Sequence, residues 1–210
     1  MNGCILCSQC MDSFRMVDES TACPRCGRWV GKPLVCGECL QEQQWFHRGY
    51  FGFYFEDRLR EVLHAFKFNG RKDVGRHLVS LVRKKILSFS DTFDCIVPIP
   101  VSKRRLKERG FNQSFIISEE IARMTDKPLY HAVLYKIKDT KDQYTLSREE
   151  RKKNIKGVFA VYDKSSIEGK RVLLVDDLFT TGATAQHASK ILMQSNTREV
   201  VLFALARTSS

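Results

Sequence analysis

The stretch Val172-Leu173-Leu174-Val175-Asp176-Asp177-Leu178-Phe179-Thr180-Thr181-Gly182-Ala183-Thr184 decides how this chain folds. Four apolar residues in a row read as a buried strand, and the two carboxylates mark its acidic end. From Ala185 to Ser195, the residues Ala185, Ala188, Ile191 and Leu192 fall on one face, so a helix follows. A strand that feeds a glycine turn into a helix start aims several backbone N–H groups, and the positive end of the helix dipole, at one point. Thr180, Thr181 and Thr184 add hydroxyls there, and Gly182, beside Ala183, lets the backbone bend without a Cβ clash. The cradle suits a phosphate monoester.

The carboxylates narrow the choice of phosphate. A nucleotide P-loop carries a lysine beside its Ser/Thr, and this stretch has none. Adjacent acids just before an anion cradle would repel a bare phosphate. Asp176 and Asp177, the candidate catalytic pair, make sense if they hold the two hydroxyls of a ribose, or a Mg²⁺ beside it, with the 5′-phosphate in the loop beyond.

Outward from this stretch, 210 residues suffice for one full α/β domain and a small appendage. A hydrophobic fraction of 43% and a charged fraction of 28% are those of a soluble globular protein. No apolar run approaches a membrane span. Met1-Asn2-Gly3-Cys4 leads straight into cysteines, with neither the basic region nor the apolar core of a signal peptide. A cytoplasmic protein is expected, in a compartment where disulfides are rare. The net charge of +11 is concentrated in Lys103 to Arg109 and in the run Arg148, Arg151, Lys152, Lys153 and Lys156. Such runs are ordinarily solvated helix faces. An anionic substrate accounts for part of the charge here, and nucleic acid is the remaining candidate partner, bound through phosphates and therefore sensitive to salt.

Seven of the eight cysteines precede residue 40, as Cys4-x2-Cys7-x2-Cys10, Cys23-Pro24-Arg25-Cys26-Gly27 and Cys36-Gly37-Glu38-Cys39. A Cys-x2-Cys turn presents two thiolates to one ion, and two such turns complete a tetrahedral Zn²⁺ site. Redox chemistry fits less well, because no βαβ pattern surrounds the cysteines. The six candidate ligands are Cys7, Cys10, Cys23, Cys26, Cys36 and Cys39, whereas one site uses four. Spacing permits any two of the three pairs, with Cys4 a substitute or idle. Four thiolates leave no open position, so the site is structural. So few apolar residues precede Trp45 that this segment needs metal to fold. Its expected role is to staple the fold rather than to dock a partner. The boundaries are 1–46 for a zinc-ribbon-like segment and 47–210 for the α/β domain.

Within the larger part, Tyr50 to Phe55 reads as a strand, Asp57 to Phe68 and Val74 to Leu87 as amphipathic helices, and Phe93 to Val101 as a buried strand stopped by prolines. His64 and His77 are read as surface or packing residues and Cys95 as a small core residue. Pro100, Val101, Ser102, Lys103 and Arg104 then form a loop at the carboxyl end of that strand, where open parallel sheets bind ligands. Fixed positive charge at this point would suit a pyrophosphate. Asn112 is the expected N-cap of the next helix, which has Ile116, Ile117, Ile121 and Ala122 on its apolar face. Ser147 and Glu150 form a capping box for a short basic helix. Val158 to Tyr162, Val172 to Val175 and Val200 to Ala206 supply further strands. Strands alternating with amphipathic helices imply a mostly parallel sheet flanked by helices.

Val172 to Thr184 resembles the PRPP (5-phosphoribosyl-1-pyrophosphate) signature of type I phosphoribosyltransferases. The Cys-Pro-x-Cys-Gly segment, Pro98-Ile99-Pro100 before a basic run, Arg109-Gly110-Phe111-Asn112-Gln113 and Asp176-Asp177-x-x-Thr-Thr-Gly-Ala-Thr, in this order, resemble the ComF family over essentially the whole chain. Relatives often carry two cysteine pairs ahead of the position of Cys23. Here these are compressed into Cys4, Cys7 and Cys10, which weighs against a second zinc.

The resemblance implies a type I phosphoribosyltransferase-like α/β fold that binds PRPP or a related sugar phosphate with Mg²⁺. It also implies a role in the uptake of single-stranded DNA during natural transformation, beside a helicase-like ATPase partner. In similar proteins the region around Arg148 and Arg151 is a loop that closes over the pyrophosphate, so Arg109, Arg148, Arg151, Lys152 and Lys153 are candidate lid or nucleic-acid residues. The alternative is a phosphoribosyltransferase acting on an unidentified or nucleobase acceptor. No residue reads as an acceptor-base site.

Overall fold

A computed structural model describes residues 5–137 and 157–209. Its frame is a parallel sheet of four strands: β1 (Arg48–Tyr54), β2 (Cys95–Pro98), β5 (Arg171–Phe179) and β6 (Glu199–Arg207), in the order β1-β6-β5-β2. Two short strands, β3 (Leu134–Lys136) and β4 (Phe159–Val161), pair antiparallel beside it. The helices are α1 (Ser8–Asp12), α2 (Gly37–Gln41), α3 (Asp57–Phe68), α4 (Lys72–Leu81), α5 (Arg83–Ser88), α6 (Lys103–Arg109), α7 (Gln113–Thr125) and α8 (Ala183–Met193).

The central strands carry unbroken apolar runs, Val172 to Val175 in β5 and Val200 to Ala206 in β6, because both faces of the sheet are covered. Along β5, Leu173 and Val175 join one core while Val172 and Leu174 join the other. Along β6, Val201, Phe203 and Leu205 alternate in the same way with Val200, Leu202 and Ala204. Leu59, Leu63 and Phe66 of α3, Leu78 of α4 and Ile117 and Ile121 of α7 fill the first core. Ala185, Ala188 and Leu192 of α8 fill the second, with Leu134 and Phe159 of the β3–β4 pair. Cys95 is a fully buried member of that second core, as its sequence setting suggests.

Four expectations change in detail. The helix read over Val74 to Leu87 is two, because the chain turns at Val82 between α4 and α5. The strand read as Val158 to Tyr162 lies in the antiparallel pair, outside the parallel sheet. The basic run from Lys103 is helical, with the Ser102 Oγ accepting from the Arg105 N–H at 3.3 Å as N-cap. The strand read as Val172 to Val175 continues to Phe179, so the acidic pair sits within the strand and not beyond it.

The segment before β1 is built into the domain. Leu6 and Phe14 join the first core, and Val17, Ala22 and Phe46 the second. Its backbone runs along the outer edge of β1. The Val17 N–H donates to the Gly52 carbonyl at 3.0 Å, the Tyr54 N–H to Arg15 at 2.8 Å and the Gly49 N–H to Pro24 at 2.9 Å. An edge strand that would otherwise present open donors and acceptors is thereby covered. Lys85 of α5 fastens the arrangement by donating to the carbonyls of both Val17 and Phe51.

Candidate functional site

The carboxyl ends of β2 and β5 meet at one point. The Ile99 N–H donates to the Val175 carbonyl at 2.9 Å, which brings the loop carrying Pro100 and Val101 beside the acidic pair. Asn112 holds that loop from the other side. Its Nδ2 donates to the Ile99 carbonyl at 3.0 Å, while its Oδ1 caps α7 by accepting from the Ser114 N–H at 3.1 Å. Ser102 is buried under this turn. Lys103 and Arg104 are exposed on the first turn of α6, and Arg104 pairs with Glu108 at 2.9 Å.

On the far side of the pair, β5 ends at Phe179 and α8 begins at Ala183, with Thr180, Thr181 and Gly182 between them. Gly182 is the N-cap at φ +75°, and a Cβ built there would lie 2.6 Å from the ring of Phe179. Only glycine fits both the backbone angle and the packing. The Thr181 Oγ1 accepts from the Ala183 N–H at 3.5 Å, and Thr184 lies in the first turn of α8.

Asp176 and Asp177 are both largely buried, and their surroundings differ. Asp177 pairs through Oδ2 with the Nζ of Lys67, at the end of α3, at 2.7 Å. The Oδ1 of Asp176 accepts from the Asp177 N–H at 2.9 Å and faces the Ser114 hydroxyl at 3.4 Å. Burial would raise the carboxyl of Asp177, but the Lys67 ammonium, with Arg109 behind it, overrides that and holds it below the usual range. Burial, and then the charge of Asp177, push the carboxyl of Asp176 up to about 8.

That asymmetry has a measurable consequence. Between the ordinary carboxylate range and its folded value, Asp176 keeps a proton that the unfolded chain has lost, so stability falls as pH rises through this window. Asp176→Asn removes the slope. Thermal melts are expected to show the variant gaining on wild type from about pH 5 to about pH 8, by on the order of 2 kcal/mol or a few degrees in Tm. A difference that stays flat over this range would mean that Asp176 is ionised throughout.

Sequence reading does not find Lys67 or Ser114, and it includes Gln113 only as the last residue of the Arg109–Gln113 motif. The only local signal for Lys67 is a cation between Phe66 and Phe68 at a helix end. Arg109, read from sequence as a lid or nucleic-acid candidate, stands at the base of the site. Its guanidinium donates to the Gln113 Oε1 at 3.2 Å and lies 4.9 Å over the Phe68 ring. Arg148, Arg151, Lys152, Lys153 and the Ser147–Glu150 capping box lie outside the described residues, as does Cys4.

The cysteines resolve into two groups. The Sγ atoms of Cys23, Cys26, Cys36 and Cys39 all lie within 4.8 Å of one another, and those of Cys26 and Cys36 are 3.7 Å apart. Zinc–sulfur bonds in a tetrahedron separate sulfurs by about 3.8 Å, so the set fits a closed thiolate site for a metal ion such as zinc. Hydrogen bonds from Cys26 and then Cys39 draw the thiol of Cys23 well below the ordinary range, while Cys26 is pushed up to about 12, chiefly by its bond to Cys23. Arg25 donates to the Cys39 carbonyl at 2.9 Å and Arg28 pairs with Glu38 at 3.1 Å, bracing the two turns against each other. Cys7 and Cys10 lie apart from this cluster, 3.3 Å from each other and near Arg58.

The chain is 30% identical to competence protein F of Haemophilus influenzae over 96% of its own length and 90% of that protein. It is 29% identical to DNA utilization protein YhgH of Escherichia coli over 97% of its length and 90% of that protein. No family model matches. Among solved structures, adenine phosphoribosyltransferase from Leishmania tarentolae is similar at 13% identity with a TM-score of 0.42, over 68% of this chain and 74% of that one. No helix among the described residues is long and apolar enough to cross a membrane.

Proposed function

The chain belongs to the ComF family, and from that membership we propose that it binds PRPP, or ribose 5-phosphate, in the crevice between β2 and β5 and acts in the handling of incoming DNA during natural transformation. One observation carries the reading. Two neighbouring carboxylates, one ion-paired to Lys67 and the other bonded to a backbone N–H, are held near the end of β5, and the loop after it enters a helix whose N-cap admits only glycine. The loop from Thr180 to Thr184 then takes the 5′-phosphate, and Asp176 and Asp177 take the ribose hydroxyls. Ser102, Lys103 and Arg104, at the start of α6, then serve the pyrophosphate end.

When bound with the pyrophosphate, Mg²⁺ would supply charge neutralisation for the departing group. The residues of the chain orient the sugar and hold its diol while this happens, which is positioning and electrostatic work rather than proton transfer. Single-stranded DNA is the proposed second ligand, held through phosphates by the basic runs. A helicase-like ATPase is the proposed partner. The names of the two relatives, which concern competence and DNA utilization, support this side of the reading.

One experiment tests both halves. The double variant Asp176→Asn, Asp177→Asn is expected to lose PRPP binding, measured by calorimetry with Mg²⁺, and to lower transformation when it replaces the wild-type protein. Retained PRPP binding would sink the site assignment. Lost binding with normal transformation would separate the sugar-phosphate site from DNA uptake.

A further inference from the structure

Three elements converge behind the acidic pair, and the residues that do so lie outside the β5–α8 motif. Lys67 reaches the Oδ2 of Asp177 at 2.7 Å, with side chains only 12% and 15% exposed. A buried ammonium persists only where it is paired. The lysine is also fixed through its backbone, since its carbonyl accepts from the Gln113 Nε2 at 3.4 Å and Gln113 is itself buried in the first turn of α7. Arg109 completes the brace from α6 by bonding Gln113 and stacking on Phe68, the residue after Lys67.

These contacts apportion the carboxylate oxygens. One oxygen of Asp177 is committed to Lys67, and one of Asp176 to the Asp177 N–H and the Ser114 hydroxyl. Among the described residues each carboxylate keeps one oxygen, which matches a vicinal diol with one hydroxyl to each acid. It matches a divalent ion less well. Mg²⁺ demands a near-octahedral shell, and adjacent carboxylates recruit it where their charge is otherwise unbalanced. Here the balancing cation is part of the chain.

We propose that Lys67 is the resident counter-ion of the acidic pair: it holds Asp177 in place as an acceptor, so that a 5-phosphorylated ribose binds without a divalent ion on the carboxylates. The proposal rests on the sugar-phosphate reading of the site and specifies its ligand. Mg²⁺ is then needed for the pyrophosphate of PRPP and not for the sugar. Lys67 is a positioning residue, acting through Asp177.

The test is calorimetry of ribose 5-phosphate on the full chain, in buffer freed of divalent ions by resin and again with added Mg²⁺. Wild type is expected to bind equally in both, within about twofold. Lys67→Met is expected to weaken binding by about tenfold or more without Mg²⁺ and to recover partly when Mg²⁺ is added. Lys67→Arg, which keeps the charge, is expected to retain most of the affinity. Wild-type binding of ribose 5-phosphate only in the presence of Mg²⁺ would overturn the counter-ion role while leaving the sugar-phosphate site intact, and this arm needs no variant to fold. Lys67→Met binding as wild type does would overturn it too. Failure of wild type to bind ribose 5-phosphate or PRPP in either buffer would overturn the reading of the site itself.

Discussion

Gly182→Ala is expected to abolish ribose 5-phosphate binding and to lower stability by about 1–3 kcal/mol, with the chain still folded. Two costs add. At φ +75° a side chain is strained whatever the space around it, by about 1–2 kcal/mol. The new Cβ would also sit 2.6 Å from the Phe179 ring. That ring cannot retreat, because it packs edge-on against Phe51 at 5.1 Å and Phe46 at 6.4 Å, and its backbone carbonyl accepts from the Thr208 N–H at 3.0 Å. The loop must therefore move, and the N–H groups that it aims move with it. Gly169→Ala is the control: it has φ +67° with nothing within 4 Å of the added Cβ, so it should cost stability alone. Calorimetry and denaturant unfolding on both variants separate strain from displacement. Gly182→Ala binding within about threefold of wild type would mean that this loop does not cradle the phosphate.

How much of this was legible in the sequence depends on how local each feature is. The β5 run, the glycine turn and α8 are consecutive in the chain, and their periodicities announce them. The Asn112 cap was readable for the same reason, since donor and acceptor are two residues apart. The extension of β5 through the acidic pair was not, because it depends on pairing with β6, where Asp176 lies opposite Ala204 and Leu178 opposite Ala206. Lys67 and Asp177 are 110 positions apart, and no local pattern marks a lysine at a helix end as the partner of a distant aspartate. Among the cysteines, spacing alone left three pairings open. The fold chooses Cys23, Cys26, Cys36 and Cys39, because the backbone from Arg15 to Pro24 is laid along β1 and carries the Cys23 turn to the Cys36 turn. The hairpin-like pairing of β4 escaped the sequence because a short apolar run reads alike in either kind of sheet.

Loss of the metal is expected to open the edge of the sheet rather than merely to loosen a terminal appendage. Cys26→Ser should reduce tightly bound zinc below one ion per chain, while Cys95→Ser, a buried core cysteine outside the cluster, should leave it unchanged. The consequence follows from what the cysteine turns hold. Gly27 packs so closely on Phe51 that a Cβ there would lie 2.3 Å from the ring, and a Cβ on Gly49 would lie 2.4 Å from the Arg25 carbonyl. Arg207, buried at the end of β6, has its charge disfavoured by burial and favoured by Cys26, Tyr54 and Cys23 nearby. A thiolate–metal centre at these four cysteines would supply the negative charge that makes such a buried cation tolerable, and removing one ligand would withdraw it. The turns then separate from β1, and the amides of Gly49 and Tyr54 lose the Pro24 and Arg15 carbonyls that protect them. Hydrogen exchange at these two amides should accelerate by at least about a hundredfold on chelation, while amides between β5 and β6 remain protected. An uncovered parallel edge also invites pairing between chains, so aggregation should follow with time. The disturbance should reach the ligand side as well, since the Trp45 N–H donates to Gln186 on α8 at 2.9 Å and Phe51 is one wall of the Phe179 pocket under Gly182. Unchanged protection at Gly49 and Tyr54 after zinc is removed would show that apolar packing alone carries the segment, with the metal an accessory.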